Sequence, residues 1–424
     1  MRVLQVGKYY PPYVGGIETF VYNLTEELIK YINVDILCFN KSLKTQIDNT
    51  GKYHVYRIGS MMKISSTPIS PAMIFYLNRI YKNYDILHVH LPNPMANLAY
   101  FLVRPSTKLI IHWHSDIIKQ KILLKFYEPL LYWFLKRADI IIATSPNYIN
   151  SSRYLSKFKE KTIAIPVGIN PKNLIPKYEI VQYIKRKYTN KPIIFSLGRL
   201  VYYKGFEFLI KAMKYVDAYL IIGGDGPLKQ KLENLIKELN LSNKVFLIGK
   251  IKNEEIGSYY QACDIFCLPS IERSEAFGLV QVEAMFFGKP IVSTNIKGSG
   301  VSWVNQHKIT GLIVEPKNHL ALANALNTLI KDEKLRKRLG KNAKKRAKEM
   351  FHIEIVSKKI LDVYQNLLKK NDTLSEKIKE EWNNYRKIQP NIRKLYFSSL
   401  SYKILLLQAP LNSAWALYGF ETKI

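Results

Sequence analysis

Short apolar runs recur along the chain, each closed by glycine, proline or a polar residue. The first set is RVLQVG (2–7), VDILCF (34–39), HVYRI (54–58), ILHVH (86–90), KLIIHW (108–113), IIIATS (140–145) and TIAIPVG (162–168). Short, largely apolar runs of this kind predict buried parallel strands. Between several of them the apolar residues recur near every 3.6 positions, as over 16–31 and 121–137, and these segments predict helices. The stretch 169–192 breaks the pattern. It is polar, charged and carries three prolines, so it reads as a linker with a short helix. The pattern restarts with PIIFSLG (192–198), AYLIIGG (218–224), KVFLIGK (244–250), DIFCLPS (264–270), PIVSTN (290–295) and GLIVEP (311–316). Helices fit between them at 205–216, 227–240, 253–262, 276–287 and 318–330.

This alternation predicts an α/β chain with two Rossmann-like, doubly wound parallel-sheet domains, residues 1–170 and 191–350, joined by a linker at 171–190. Ligands of such sheets bind at the carboxyl ends of the strands, so the cleft between the two domains is the expected site. At 424 residues the chain is long enough for two cores, and 47% hydrophobic against 23% charged residues excludes a disordered chain. Charge narrows the partners: 64 Lys and Arg against 33 Asp and Glu give +31, which suits an anionic ligand, nucleic acid or a membrane face. Cys38, Cys263 and Cys267 are too few for a disulfide framework, which favours a reducing compartment, and no partner completes a zinc site around CDIFCLPS. MRVLQVG reads as a strand rather than a secretory leader, and no run of 18 apolar residues predicts a membrane span.

Three stretches carry candidate chemistry. In KYYPPYVGGIETF (8–20) a strand ends, Gly15 and Gly16 follow, and a helix begins; this is either an oxyanion site at a helix N-terminus or a plain tight turn. In SLGRLVYYKGF (196–206), Arg199 and Lys204 follow a strand end, where they either neutralise a diphosphate or stand as solvated cations. In SEAFGLVQVEAM (274–285), Ser274 or Glu275 is expected to cap the helix, with Glu275 and Glu283 near one stripe of it; two such carboxylates serve as acceptors for sugar hydroxyls, or as a cap and a core ion pair. Gly278 permits close approach of backbone to a ligand.

Together these stretches resemble glycosyltransferase family 4, of the retaining GT-B superfamily. The matching pieces are the Gly15-Gly16 loop, HWHSDI (112–117), PVGIN (166–170), GRLVYYKG (198–205), GGDGP (223–227), SEAFGLVQVEAM (274–285) and TGLIVEP (310–316), in the family's order across roughly residues 1–370. HWHSDIIKQK and RSEAFGLVQVEAM further resemble bacterial mannosyltransferases of polysaccharide assembly. The resemblance implies the GT-B fold and a hexosyltransferase that takes mannose or glucose from a GDP- or UDP-hexose to a glycan or lipid-linked acceptor. Gly15 and Gly16 would bring backbone N–H groups to the donor diphosphate from one side, and Arg199 and Lys204 would hold it from the other. Glu275 would bind the donor sugar's hydroxyls, with Ala276, Phe277, Gly278 and Leu279 near sugar and phosphate. Glu283 would bind the ribose and Ile251 would lie near the base. His114 would sit by the reacting end of the sugar, and Asp116, Lys119 and Lys121 on the acceptor side. Residues 351–369 look like the family's last helix, returning to the first domain.

No cofactor or metal is expected: the chain has no Asp-x-Asp triplet, and Arg199, Lys204 and helix N-termini would take a metal's place. Retention would follow from same-face attack. His88, His90, His112 and His114 cluster at two strand ends, where a four-histidine zinc site is the competing reading and His88 and His112 are expected to be structural. KQKILLKFYEPLLYWFLKR (119–137) mixes basic and apolar residues, as does a helix lying on an anionic membrane or an ordinary core-facing helix. The expected location is the cytoplasm, bound peripherally at the inner face of the plasma membrane. The role of residues 370–424 stays open. The rival functions are a nucleotide-sugar epimerase on the same fold and a basic nucleic-acid-binding protein, for which no recognition motif is present. If Glu275 only binds sugar, Glu275→Ala should abolish transfer and leave thermal melting nearly unchanged.

Overall fold

The computed structural model describes residues 1–13, 15–64, 67–117 and 121–369, with Lys121 and Ile122 described by backbone alone. The chain divides into two compact units, Met1–Ile360 and Leu361–Ile424; the described residues of the second, 361–369, are helical. Residues 370–424 lie outside the described residues.

The first unit contains two lobes. Its N-terminal sheet is built from β1 (Arg2–Val6), β2 (Asn33–Phe39), β3 (Gln46–Asn49), β4 (His54–Ile58), β7 (Ile86–Leu91), β8 (Lys108–Trp113), β9 (Ile140–Ala143) and β10 (Thr162–Ala164), in the order β10-β9-β8-β7-β1-β2-β4-β3. Every pairing is parallel except β3 on β4. A separate hairpin pairs β5 (Met62–Ile64) with β6 (Thr67–Ile69). Helices α1 (Gly16–Leu28), α2 (Ala72–Ile80), α3 (Pro94–Val103), α4 (Lys121–Arg137) and α5 (Pro146–Ser151) connect the strands. Leu4, Val6, Leu87, Val89, Leu109 and Ile111 are buried in one core with Phe134 of α4, each contributing about 1.5–3 kcal/mol by leaving water.

After a 3-10 turn at Pro171–Leu174, α6 (Tyr178–Lys187) leads into the second sheet. It comprises β11 (Ile193–Leu197), β12 (Tyr219–Gly223), β13 (Val245–Leu247), β14 (Ile265–Leu268), β15 (Ile291–Thr294) and β16 (Gly311–Val314), all parallel, in the order β13-β12-β11-β14-β15-β16. Helices α7 (Phe206–Ala212), α8 (Lys229–Glu238), α9 (Asn253–Ala262), α10 (Leu279–Phe286), α11 (Val301–Val304), α12 (His319–Lys331) and α13 (Glu333–Arg346) flank it. In both sheets the chain winds outward in two directions from a central strand, β1 and β11. That reversal opens a crevice between β1 and β7 and another between β11 and β14 at their carboxyl ends.

Every expected strand is present. One expected helix boundary is corrected: α10 starts at Leu279, not at 276, and neither Ser274 nor Glu275 caps it. Gly278 is the capping residue, with a left-handed φ of 76° that a side chain rarely adopts, so the helix cannot extend back through it. Glu275 therefore lies in the β14–α10 loop and shares no helix stripe with Glu283. The polar β3 strand and the β5–β6 hairpin went unmarked by the apolar runs because they are largely exposed.

Two segments of chain join the lobes, and they lie side by side. The Ile169 N–H donates to Phe351 O at 2.8 Å, and the Ile353 N–H donates to Ile169 O at 3.0 Å. Gly168 sits so close that an added Cβ would fall within 3.0 Å of Ile353 and Val356.

Candidate active site

The β11–α7 and β14–α10 loops leave adjacent strands at the switch point of the second sheet, and this brings Lys204 to Glu275. Lys204 Nζ lies 2.6 Å from Glu275 Oε2, and each side chain is 11% exposed. The Ser270 hydroxyl donates to the same carboxylate oxygen at 2.9 Å. Gly205 makes the turn possible: it has φ 66°, and a Cβ there would strike the Pro269 carbonyl. Burial pulls the Lys204 pKa down, but the charge and hydrogen bond of Glu275, helped by Tyr203 and Glu283, outweigh it and hold the ammonium above its ordinary value.

Glu283, in the second turn of α10, accepts a hydrogen bond from the Tyr260 hydroxyl at 2.7 Å. Its pKa is raised, because burial outweighs the stabilising effects of Tyr260 and Lys204. Glu275 thus contacts Lys204 from a loop, while Glu283, on the helix, acts on it only through its charge. Arg199 is exposed, and among the described residues no carboxylate pairs with it. Ile251 is buried with its Cδ1 directly above Gly223 at the end of β12. Phe277 and Gly278 are buried, while Ala276 packs against the core of the other lobe.

Gly16 faces this loop from the first lobe: a Cβ on it would sit 3.2 Å from Leu279 Cδ1. Gly15 caps α1, but the Glu18 carboxylate folds over it, close enough to collide with any side chain at position 15. The helix N-terminus is therefore already faced by one negative charge of its own.

His90, His112 and His114 meet Phe20 edge-on, and His88 stacks on His90 and His112. His90 Nε2 lies 3.0 Å from Gln5 Oε1, and its Nδ1 lies 3.0 Å from His114 Nε2. An amide oxygen only accepts, so His90 donates through Nε2 and accepts from His114 Nε2. That leaves His114 Nδ1 without a proton. Nitrogens of His88, His90 and His112 approach within 4.8 Å of one another. Their rings, however, are within 27° of parallel. In-plane lone pairs on parallel rings run side by side, whereas a tetrahedral ion needs them to converge. Burial lowers the pKa of His88 and His114 to about 3, with the charge of His114 adding to the effect on His88.

Asp116 accepts from the Trp113 indole at 2.9 Å and from Ser152 Oγ at 3.0 Å, and pairs with Arg273 of the second lobe at 3.1 Å. Lys119 lies outside the described residues, as does the side chain of Lys121. Ser270, Tyr260, Gln5 and Arg273 were not singled out from sequence, and His90 was named there only within the histidine cluster. Only Arg273 had a local signal, a cation directly before the Ser274–Met285 stretch.

Comparison with known proteins finds the same organisation. Residues 14–173 match the family model described as Glycosyltransferase Family 4, and residues 179–346 that described as Glycosyl transferases group 1. The chain is 34% identical over 370 residues to the O-antigen chain mannosyltransferase C of Escherichia coli, covering 87% of this chain and 99% of that one. It is 32% identical over 357 residues to the D-rhamnosyltransferase WbpZ of Pseudomonas aeruginosa, covering 83% and 92%. Among solved structures, sucrose-phosphate synthase from Thermosynechococcus elongatus superposes with a TM-score of 0.72 at 23% identity, over 87% of this chain and 99% of that one. Anabaena HepE in complex with UDP-glucose superposes with a TM-score of 0.69 at 20% identity, over 86% and 100%. These likenesses bear out the GT-B fold.

The geometry corrects one expectation about stability. Glu275→Ala would strand the buried Lys204 ammonium, which costs about 3–5 kcal/mol when one partner of a buried pair is removed. Chemical denaturation should show that loss, and Glu275→Leu combined with Lys204→Met should recover most of it. The histidines set a second expectation. Folded values of about 3 for His88 and His114, against 6.5 ordinarily, with His90 and His112 also held low by burial, mean the unfolded chain binds protons first as pH falls. Stability is whole above about pH 6.5 and declines toward pH 3, each such histidine steepening the slope by up to about 1.4 kcal/mol per pH unit. Melting temperatures between about pH 7 and pH 5 should fall less in His112→Phe than in the parent; equal slopes would contradict the assignment.

Proposed function

Because this chain belongs to the glycosyltransferases of family 4, its two lobes matching the family 4 and group 1 models, we propose that it moves a hexose, with retention, from a nucleotide diphosphate sugar to a glycan or lipid-linked acceptor in cell-surface polysaccharide synthesis. The observation that carries this reading is the Lys204–Glu275 pair at the sheet's switch point, whose lysine also feels the charge of Glu283. In the bond-breaking step, the bond from the anomeric carbon to the diphosphate opens and negative charge grows on the leaving phosphate. Lys204, protonated and dry, and Arg199, exposed at the end of β11, supply positive charge for that oxygen without a metal. Donor binding exchanges part of Lys204's contact with Glu275 for phosphate and frees the carboxylate for the sugar's hydroxyls. Glu283 takes the ribose, and Ile251 bounds the base. His114 presents an unprotonated Nδ1 and stays neutral, so it can accept a hydrogen bond from the sugar without adding charge. The acceptor hydroxyl attacks the same face and its proton passes to the leaving phosphate. Gly15 and Gly16 shape the opposite wall; because Glu18 already occupies the end of α1, they contribute less to diphosphate binding than Arg199 and Lys204.

The name of the Escherichia coli relative favours mannose and an O-antigen-like acceptor, whereas the HepE complex contains UDP-glucose. Peripheral attachment to an anionic membrane on the cytoplasmic side is supported by α3 and α4. Leu98, Leu102, Leu123 and Phe126 are exposed there, Phe126 at 82%, close in sequence to Arg104 and Lys125. Among the described residues no helix is long and apolar enough to cross a membrane.

The full-length protein titrated calorimetrically with a panel of UDP- and GDP-hexoses should bind one of them, and radiolabelled transfer from that sugar should persist in excess chelator. Restoration of activity only by added manganese would overturn the metal-free reading. Conversion of the donor to a new nucleotide sugar without acceptor would overturn transfer itself.

A further inference from the structure

Arg273 stands two residues before Glu275, in the same loop, and reaches across to the other lobe. Its Nη1 donates to the Ser151 carbonyl at 3.0 Å, its Nη2 lies 3.1 Å from Asp116 Oδ2, and its guanidinium covers the Tyr148 ring at 4.8 Å from the centroid. The Tyr148 hydroxyl in turn accepts from the Asp116 backbone N–H at 2.7 Å. Asp116 follows His114 by two residues, and its second oxygen is already taken by Trp113 and Ser152. The pair is largely dry, with 26% of the Arg273 side chain and 10% of the Asp116 side chain exposed. A neighbouring bridge joins the same surfaces: Ser151 Oγ donates to the Gly298 carbonyl at 2.9 Å, and a Cβ on Gly298 would sit 2.8 Å from Ser151.

We propose that Arg273 is a positioning residue that clamps the Glu275 loop to Asp116, Tyr148 and Ser151, and so sets the separation of Glu275 from His114 across the cleft. The proposal rests on the roles given above to those two residues. A guanidinium suits the task because its planar fork can stack on a ring, face a carboxylate and donate to a carbonyl together, whereas a lysine ammonium cannot make all three contacts. The groups given the main share of ribose and diphosphate binding, Glu283, Arg199 and Lys204, belong to the second lobe. Loss of the clamp should therefore spare nucleotide affinity and fall on turnover, where a displacement of an ångström can cost about a hundredfold.

The test uses the full-length chain and the variants Arg273→Ala, Arg273→Lys, Asp116→Ala and the double Arg273→Ala/Asp116→Ala. Three quantities are measured: kcat and KM with the nucleotide sugar the parent turns over, calorimetric Kd for UDP and GDP, and the radius of gyration by small-angle scattering. Arg273→Ala should lower kcat by about ten- to a hundredfold, leave the Kd of whichever nucleotide binds within about threefold, and enlarge the radius of gyration. The double variant should be no worse than the weaker single, because both remove one interaction. Arg273→Lys should lie between parent and alanine, and it decides the matter should the alanine variant fail to fold. Parental kcat in Arg273→Lys and Arg273→Ala, additive losses in the double, or nucleotide affinity falling in step with kcat would each overturn the clamp. Should the parent bind neither UDP nor GDP and transfer no sugar, the reading of function fails, while an unchanged radius of gyration in Arg273→Ala still tells separately against the clamp.

Discussion

A lysine ammonium and a glutamate carboxylate, nearly removed from water and 2.6 Å apart, hold together the point from which the second lobe's chemistry starts. Neither charge could stay buried alone, since desolvating an unpaired ion costs several kcal/mol. Their pairing keeps two loops, from strands neighbouring in space but distant in sequence, at a fixed spacing. Ser270 steadies the carboxylate, and Gly205 lets the lysine loop pass under the Pro269 carbonyl. The pair is a structural tie, and in the proposed function it also supplies the two charges that a nucleotide sugar would meet. That double duty explains why Glu275 is not a residue that can be removed for its chemistry alone.

The first lobe brings uncharged groups instead. The ends of β7 and β8 carry buried imidazoles that burial keeps neutral, linked through His90 to the amide of Gln5. The positive charge assigned to the leaving phosphate is concentrated on the second lobe. The asymmetry follows from the strands: β7 and β8 end in residues buried on both faces, whereas β11 ends in a loop open to the cleft.

Much of this was legible in the chain because parallel strands covered on both faces must be written as apolar runs, and VDILCF, ILHVH and PIIFSLG are. QIDN in β3 carries no such signal, since an exposed antiparallel edge makes no demand on side-chain polarity. Lys204 and Glu275 were singled out by type and position, but their direct contact was not, because it joins residues 71 apart through the switch point. The start of α10 was misjudged for a local reason: apolar spacing runs smoothly through Ala276 and Phe277, while the left-handed Gly278 ends the helix behind it. Tyr260 and Ser270 gave no warning, as a hydroxyl that will meet a carboxylate looks like any other in a list of residues.

The paired crossings at Ile169 and Phe351–Ile353 have a mechanical meaning. Ile169 bonds the second segment through both its N–H and its C=O, and Gly168 is pressed against Ile353. Sliding one segment past the other would have to break both bonds and displace Gly168 from Ile353.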